Sequence, residues 1–264
     1  MKRIHDPLSP PAALMVVPTY EERQNIEALI GRLDEVRDLV PLDVLVVDDR
    51  SPDGTAAVVR GLGRSRPWLH LLERDGPRGL GAAYRAGFAW GIAAGYPFIG
   101  EMDADLSHDP AHLPAMFAAV VEGADLALGS RYVRGGGTEG WPLRRRLLSR
   151  GANLFARILL RPGVRDVTAG YRLYRAGAVR RLLQGTTECQ GYGFQVEAVH
   201  VIARSDLQIR EIPIVFRDRR YGESKMSSRT ALEAAKRCLS LALGHPSSEA
   251  STRPQPAATV EWSA

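Results

Sequence analysis

The chain reads as an α/β protein built on a mostly parallel sheet with helices on both faces, and three features predict this. Short, almost wholly apolar runs alternate with segments of helical period, and the runs end in aspartates or turn residues. Continuous apolar strands are those buried on both faces, which is the situation of a parallel sheet between helical layers. Ligands of such sheets lie outside the carboxyl ends of the strands, where this chain carries its acids.

The elements follow in order. Leu14–Val17 is a buried strand, and Asn25–Val36 has helical spacing through Ile26, Leu29, Ile30 and Leu33. Val44–Val47 is a second strand, closed by Asp48 and Asp49. The next helix is expected to start with Ser51 as N-cap and Pro52 in its first turn. Trp68–Leu72 is a strand, Gly81–Ala94 a helix, and Pro97–Met102 a strand closed by Asp103-Ala104-Asp105. Pro110–Val121 is helical and Leu126–Leu128 extended.

The later half differs in character. Val133–Trp141 reads as a glycine-rich loop, Leu143–Leu160 as a basic helix, and Val164–Tyr174 as a mixed segment with room for a short strand. Gly193–Ala203 is helical, Leu207–Phe216 alternates like a half-exposed strand, and Ser227–Leu243 is an amphipathic helix. From His245 onward no period survives, so residues 245–264 are expected to form a disordered tail. The domain expected is 14–244, preceded by an extension at 1–13. It divides into a half at about 14–132 and a half at about 133–244.

Composition narrows the class. With 264 residues, 45% hydrophobic and 25% charged, the chain can bury a full core without disulfides or a structural metal. Its two cysteines, Cys189 and Cys238, fit a reducing compartment, and the first residues show no secretory signal. The charge-free stretch Ala86–Gly100 is too short and too broken by glycine and Pro97 to span a bilayer. A soluble, cytoplasmic protein is expected. The net charge of +5 points to an anionic partner. A phosphorylated small molecule, an anionic membrane and nucleic acid would all answer to it. No nucleic-acid-binding motif accompanies the arginines, so nucleic acid is set aside.

The paired acids carry the chemistry. Asp48-Asp49 and Asp103-Ala104-Asp105 close two strands on one expected rim, and carboxylates so gathered need a compensating cation or donors. Asp103 and Asp105 can share a hard divalent ion, Mg²⁺ or Mn²⁺, that bridges substrate phosphates. Asp53 and Asp109 are read as caps. Gly79-Leu80-Gly81 lacks the third glycine of a dinucleotide fingerprint, and no Walker loop occurs. His108 and His112 have no metal-ligand pattern and are expected to support neighbouring groups.

Three segments, Pro18–Ile26, Val47–Thr55 and Met102–His108, resemble the inverting family 2 glycosyltransferases of GT-A fold. Within that family they look like the polyprenol (dolichol) phosphate mannose synthases. Gly129–Tyr132, Thr168–Arg172 and Arg219–Lys225 extend the resemblance, which covers about Leu14 to Ser228. It implies that Pro18, Tyr20 and Glu22, with Val47 and Asp49, hold the nucleotide. Asp103, Ala104 and Asp105 would meet the sugar diphosphate and its metal, and Arg131, Arg219 and Lys225 the phosphates. The activity implied is transfer of mannose from GDP-mannose to a polyprenyl monophosphate at an anionic membrane surface, with an integral membrane partner as a further means of attachment. UDP-glucose as donor, or a catalytically silent nucleotide-sugar-binding module, are the alternatives. This sequence departs from the family pattern at Glu21, where asparagine is common, at Arg50, where glycine is common, and at Ser107. Some relatives carry a glutamine metal ligand at that last position, and water would have to fill its place here.

Overall fold

The computed structural model describes residues 13–185, 193–219 and 228–243. Lys225, Cys189, the expected extension before Ala13 and the expected tail lie outside them.

A seven-stranded sheet forms the centre. Its strands are β1 (Ala13–Thr19), β2 (Leu42–Asp48), β3 (Leu69–Glu73), β4 (Phe98–Glu101), β5 (Leu126–Ser130), β7 (Arg172–Arg175) and β8 (Ile209–Pro213), in the order β3-β2-β1-β4-β7-β5-β8. All run parallel except β7, which is antiparallel to both β4 and β5. The chain steps outward from β1 to β3 and then returns to place β4 against β1. The crevice between the ends of β1 and β4 is therefore the switch point at which such sheets bind ligands.

Alternation along the strands divides the core in two. Met15, Val17, Val44 and Val46 face one layer, with α1 (Arg23–Val36), α2 (Thr55–Gly63) and α4 (Leu113–Val121). Leu14, Val16, Leu45 and Val47 face the other, with α3 (Leu80–Ala93), α5 (Leu143–Leu160), α6 (Ala176–Gln184), α7 (Gly193–Ala203) and α8 (Ser228–Ala242). Helix α3 lies hard on the sheet because Gly87 has no side chain: a Cβ there would stand 2.3 Å from a Val16 methyl.

Burial on both faces explains why the first strands are legible in sequence, and the differences come where chemistry is mixed. The helix expected from Ser51 starts at Thr55, because the Ser51 hydroxyl donates to Asp48 while Asp53 accepts the Thr55 N–H. The glycine-rich 133–141 segment contains β6 (Gly137–Glu139), which pairs with β9 (Val215–Arg217). The single strand expected over 207–216 is thus two, β8 and β9, with Ile214 between them turned into the core. Helix α6 was not expected from the sequence.

Strand β7 sits mid-sheet with polar cargo. Arg172 and Glu101 are both fully buried and lie 3.3 Å apart, Tyr174 donates to Glu101, and Arg172 donates to the Gln195 carbonyl at 2.7 Å. Burial raises Glu101 to about 7, against the opposing pull of Arg172 and the Tyr174 hydroxyl.

Candidate active site

The rim is assembled from three strand ends, each followed by a residue in the left-handed region: Glu21 (φ 58°) after β1, Arg50 (φ 52°) after β2 and Leu106 (φ 64°) after β4. This region favours glycine and asparagine. Three such turns on one rim mark the place where the backbone is bent to present side chains.

Beside β1 and β2 lies a cluster of paired charges. The Asp49 N–H donates to the Thr19 carbonyl, fixing the two ends to each other. The Asp49 carboxylate pairs with Arg74 and accepts the Gly79 N–H at 3.0 Å. Arg78 covers the Tyr20 ring at 4.2 Å and donates to its hydroxyl at 2.6 Å. Glu22 accepts from Asn25 at 2.8 Å and opens α1, and Pro18, near the end of β1, is half-buried. Arg74 and Arg78 were missed in the sequence; their signal was two arginines in the short glycine–proline run between β3 and α3. Val47 is different from the rest. Its side chain lies fully in the core beneath α3, so only its position in β2 relates it to the rim.

After β4 come the paired acids. Asp105 is nearly buried, accepts the Ser107 N–H at 3.1 Å and faces the Arg219 guanidinium at 3.6 Å. Asp103 accepts from the Tyr84 hydroxyl at 3.4 Å. Ala104 between them is buried in the core. Burial, then Asp105, Glu101 and Glu22, hold the Asp103 carboxyl well above the usual carboxylate range, with Arg219 opposing. Such crowding is the electrostatic situation that a divalent cation relieves. Ser107 is buried, with its hydroxyl unpartnered among the described residues. The donor set fits a hard ion held by Asp103 and Asp105, with water completing its shell.

His108 supports this turn. It is buried, stacks on Tyr171 at 5.1 Å, and its Nδ1 accepts the Asp103 N–H at 3.1 Å. A nitrogen that accepts carries no proton, and burial lowers the imidazole to about 4, so His108 and Asp103 form no ion pair. Asp109 accepts the Ala111 N–H and Asp53 the Thr55 N–H, as caps.

Arg131 lies at the end of β5, but its guanidinium is held by Asp166 and Thr168, each at 2.7 Å. Asp166 was not singled out in the sequence. Its signal was a lone acid in the basic run Arg161–Arg172. Arg145 stacks over Trp141 at 4.1 Å and pairs with Asp218 at 2.5 Å, next to Arg219.

A model of glycosyl transferase family 2 matches residues 15–183. Polyprenol monophosphomannose synthase of Mycolicibacterium smegmatis is 44% identical over 222 residues, covering 84% of this chain and 83% of the relative. Undecaprenyl-phosphate mannosyltransferase of Micrococcus luteus is 46% identical over 222 residues, covering 84% and 90%. Two solved structures of glucosyl-3-phosphoglycerate synthase from Mycobacterium tuberculosis share the fold. One, with phosphoglyceric acid, has a TM-score of 0.65 at 19% identity, covering 90% of this chain and 82% of that one. The other, with Mn²⁺, uridine diphosphate and glucosyl-3-phosphoglycerate, has a TM-score of 0.64 at 18% identity and the same coverage. The sheet therefore has the GT-A architecture that the resemblance implied. The family match over 15–183, together with two relatives spanning 84% of the chain, decides membership: the chain belongs to glycosyl transferase family 2 and is a glycosyltransferase.

Proposed function

We propose that this glycosyltransferase moves mannose from GDP-mannose to a polyprenyl monophosphate. The names of the two relatives support the acceptor and the sugar. The observation that supports the site assignment is Arg219 paired with Asp105 at the switch point, a cation and an acid side by side where a diphosphate and its metal would be met. Tyr20 and Asp49, with Pro18, Glu22 and the backbone at Val47, would hold the nucleotide beside Arg74 and Arg78. Asp103 and Asp105, flanking Ala104, would hold Mg²⁺ or Mn²⁺, and the ion would offset the charge of the departing diphosphate. Arg219, with Lys225 and Arg131, would meet the phosphates.

The acceptor phosphate is already ionised near neutral pH, so its oxygen can attack the anomeric carbon without a general base. The new C–O bond forms as the bond to the diphosphate breaks, and GDP leaves with the electron pair. Displacement from the opposite face turns an α-linked donor into a β-mannosyl phosphate. A buried His108, whose Nδ1 is occupied by a backbone N–H, is in keeping with chemistry that needs no proton acceptor. The remaining work is placement of two anions in line.

No helix among the described residues is long and apolar enough to cross a membrane. Helix α5 buries only Asn153, Ala156 and Leu160, and leaves Leu143, Leu147, Leu154 and Ile158 more than half exposed beside its arginines. Peripheral attachment to the anionic cytoplasmic leaflet through this helix, with an integral membrane protein as a further anchor, would bring the enzyme to its acceptor.

A donor panel of radiolabelled GDP-mannose, UDP-glucose and UDP-N-acetylglucosamine, with a short polyprenyl phosphate and extraction into organic solvent, tests the reading. Labelled lipid from GDP-mannose alone is expected. Label confined to an aqueous glycoside or polymer would overturn it, and labelled lipid from UDP-glucose alone would replace mannose by glucose.

A further inference from the structure

Asp218 lies one residue past the end of β9 and one before Arg219, and a single oxygen of its carboxylate makes two contacts. Oδ1 accepts from the Arg145 guanidinium of α5 at 2.5 Å and from the Arg219 backbone N–H at 3.0 Å. The Asp218 N–H donates to the Glu139 carbonyl at 3.1 Å, which carries the pairing of β9 with β6 past its last residue. Gly140 permits this approach, since a Cβ there would stand 3.2 Å from the Asp218 Cβ, at a φ of 76° that side chains disfavour. Arg217, just before, is tied to Glu139 at 3.1 Å and to Asp109 at 2.7 Å. The backbone that carries Arg219 is thus held from β6, from α5 and from the turn at Asp109. Its guanidinium then reaches Asp105 at 3.6 Å.

Arg145 is itself held. It stacks on the buried Trp141 at 4.1 Å, Trp141 meets Phe216 at 5.2 Å, and Phe216 meets His108 at 5.2 Å. His108 Nδ1 accepts the Asp103 N–H. Two series of contacts therefore start at Arg145, one ending at Asp103 and the other, through Asp218 and Arg219, at Asp105. The charges show what the pair is for. A carboxylate beside an arginine that meets an anion opposes the binding of that anion. Arg145 offsets this charge, so the contribution left to Asp218 is geometric. A guanidinium on a long, flexible side chain is placed only as well as the backbone beneath it, and in-line transfer between two anions depends on placement.

We infer that Asp218, gripped by Arg145, is a positioning residue that presents Arg219 to the donor diphosphate. The pair acts through Arg219 and not on the reacting atoms. The inference rests on the role proposed for Arg219 and names the residues that set its aim.

The test is a mutant cycle on the full chain, with a short polyprenyl phosphate in detergent and whichever donor the panel identifies. Asp218→Ala should lower kcat/KM about tenfold, while Asp218→Asn, which keeps an oxygen for the Arg219 N–H, should stay within about threefold of wild type. Both should melt within a few degrees of wild type, because the pair with Arg145 is partly exposed. In an Arg219→Gln background, Asp218→Ala should change transfer by less than about twofold, since a positioning residue has nothing left to position. Arg145→Gln approaches the pair from the other side: it should lower transfer about fivefold alone and less than about twofold on top of Asp218→Ala. A full further loss from Asp218→Ala in the Arg219→Gln background would overturn the inference, because Asp218 would then act by another route. Normal transfer by Asp218→Ala, with Arg219→Gln impaired, would overturn it alone. Normal transfer by Arg219→Gln would overturn the role proposed for Arg219 and this inference with it. A donor other than GDP-mannose would overturn the proposed reaction and leave the cycle to be read as before.

Discussion

Asp166 grips Arg131 at both ends of its guanidinium, with Nε and Nη2 each 2.7 Å from a different carboxylate oxygen, and both side chains are buried. The same carboxylate accepts the Arg131 N–H at 3.0 Å. Removing Asp166 would leave a buried cation without its counter-ion, which costs about 3–5 kcal/mol. Asp166→Ala should show that loss in urea unfolding. A loss below about 1 kcal/mol would mean that Arg131 finds another anion or reaches water.

Asp105 accepts one local N–H and faces Arg219, and supports little packing of its own. Asp105→Asn should keep the melting temperature within a few degrees while transfer falls about 100-fold or more, through loss of charge stabilisation at the diphosphate. Near-normal turnover with Mg²⁺ present would remove the assigned role.

Asp109 joins three elements: it accepts the Ala111 N–H and pairs with Arg32 on α1 and Arg217 on β9. Burial raises its pKa, but the Ala111 N–H and the two arginines more than offset this and hold it below the ordinary 3.8. A depressed carboxylate stabilises the fold above its unfolded pKa. That contribution is present above about pH 4 and fades as pH falls through the folded value. Asp109→Asn should therefore lower stability at pH 7, and its deficit against wild type should shrink below about pH 4. A deficit that stays constant down to pH 2 would assign the effect to geometry instead of charge.

Arg50 pays a steric cost at φ 52°, and its exposed ion pair with Asp75 returns little. Arg50→Gly should stabilise the protein by up to about 1 kcal/mol, read as a higher melting temperature. A lower melting temperature would show that the Arg50 side chain contributes more than its contacts suggest.

The sequence by itself determined the layered fold and the strand ends at which its acids gather. Strands β1 and β2 are buried on both faces, so they had to be written as unbroken apolar runs, and the acids that end β2 and β4 stood out against them. Parallel strands in turn place those ends on one rim. The tertiary structure decided what local pattern cannot encode. Strand β7 carries Arg172 into the middle of the sheet, which is tolerable only because Glu101, distant in sequence, is buried with it. Arg131 is matched by Asp166, 35 residues on, and Tyr20 is covered by Arg78, 58 residues on. The apolar stripe of α5 has the same period whether it meets a core or water. Only packing showed that Leu147 and Ile158 stay outside while Ala156 and Leu160 go in, because burial depends on what lies opposite a face and not on the order of residues along it.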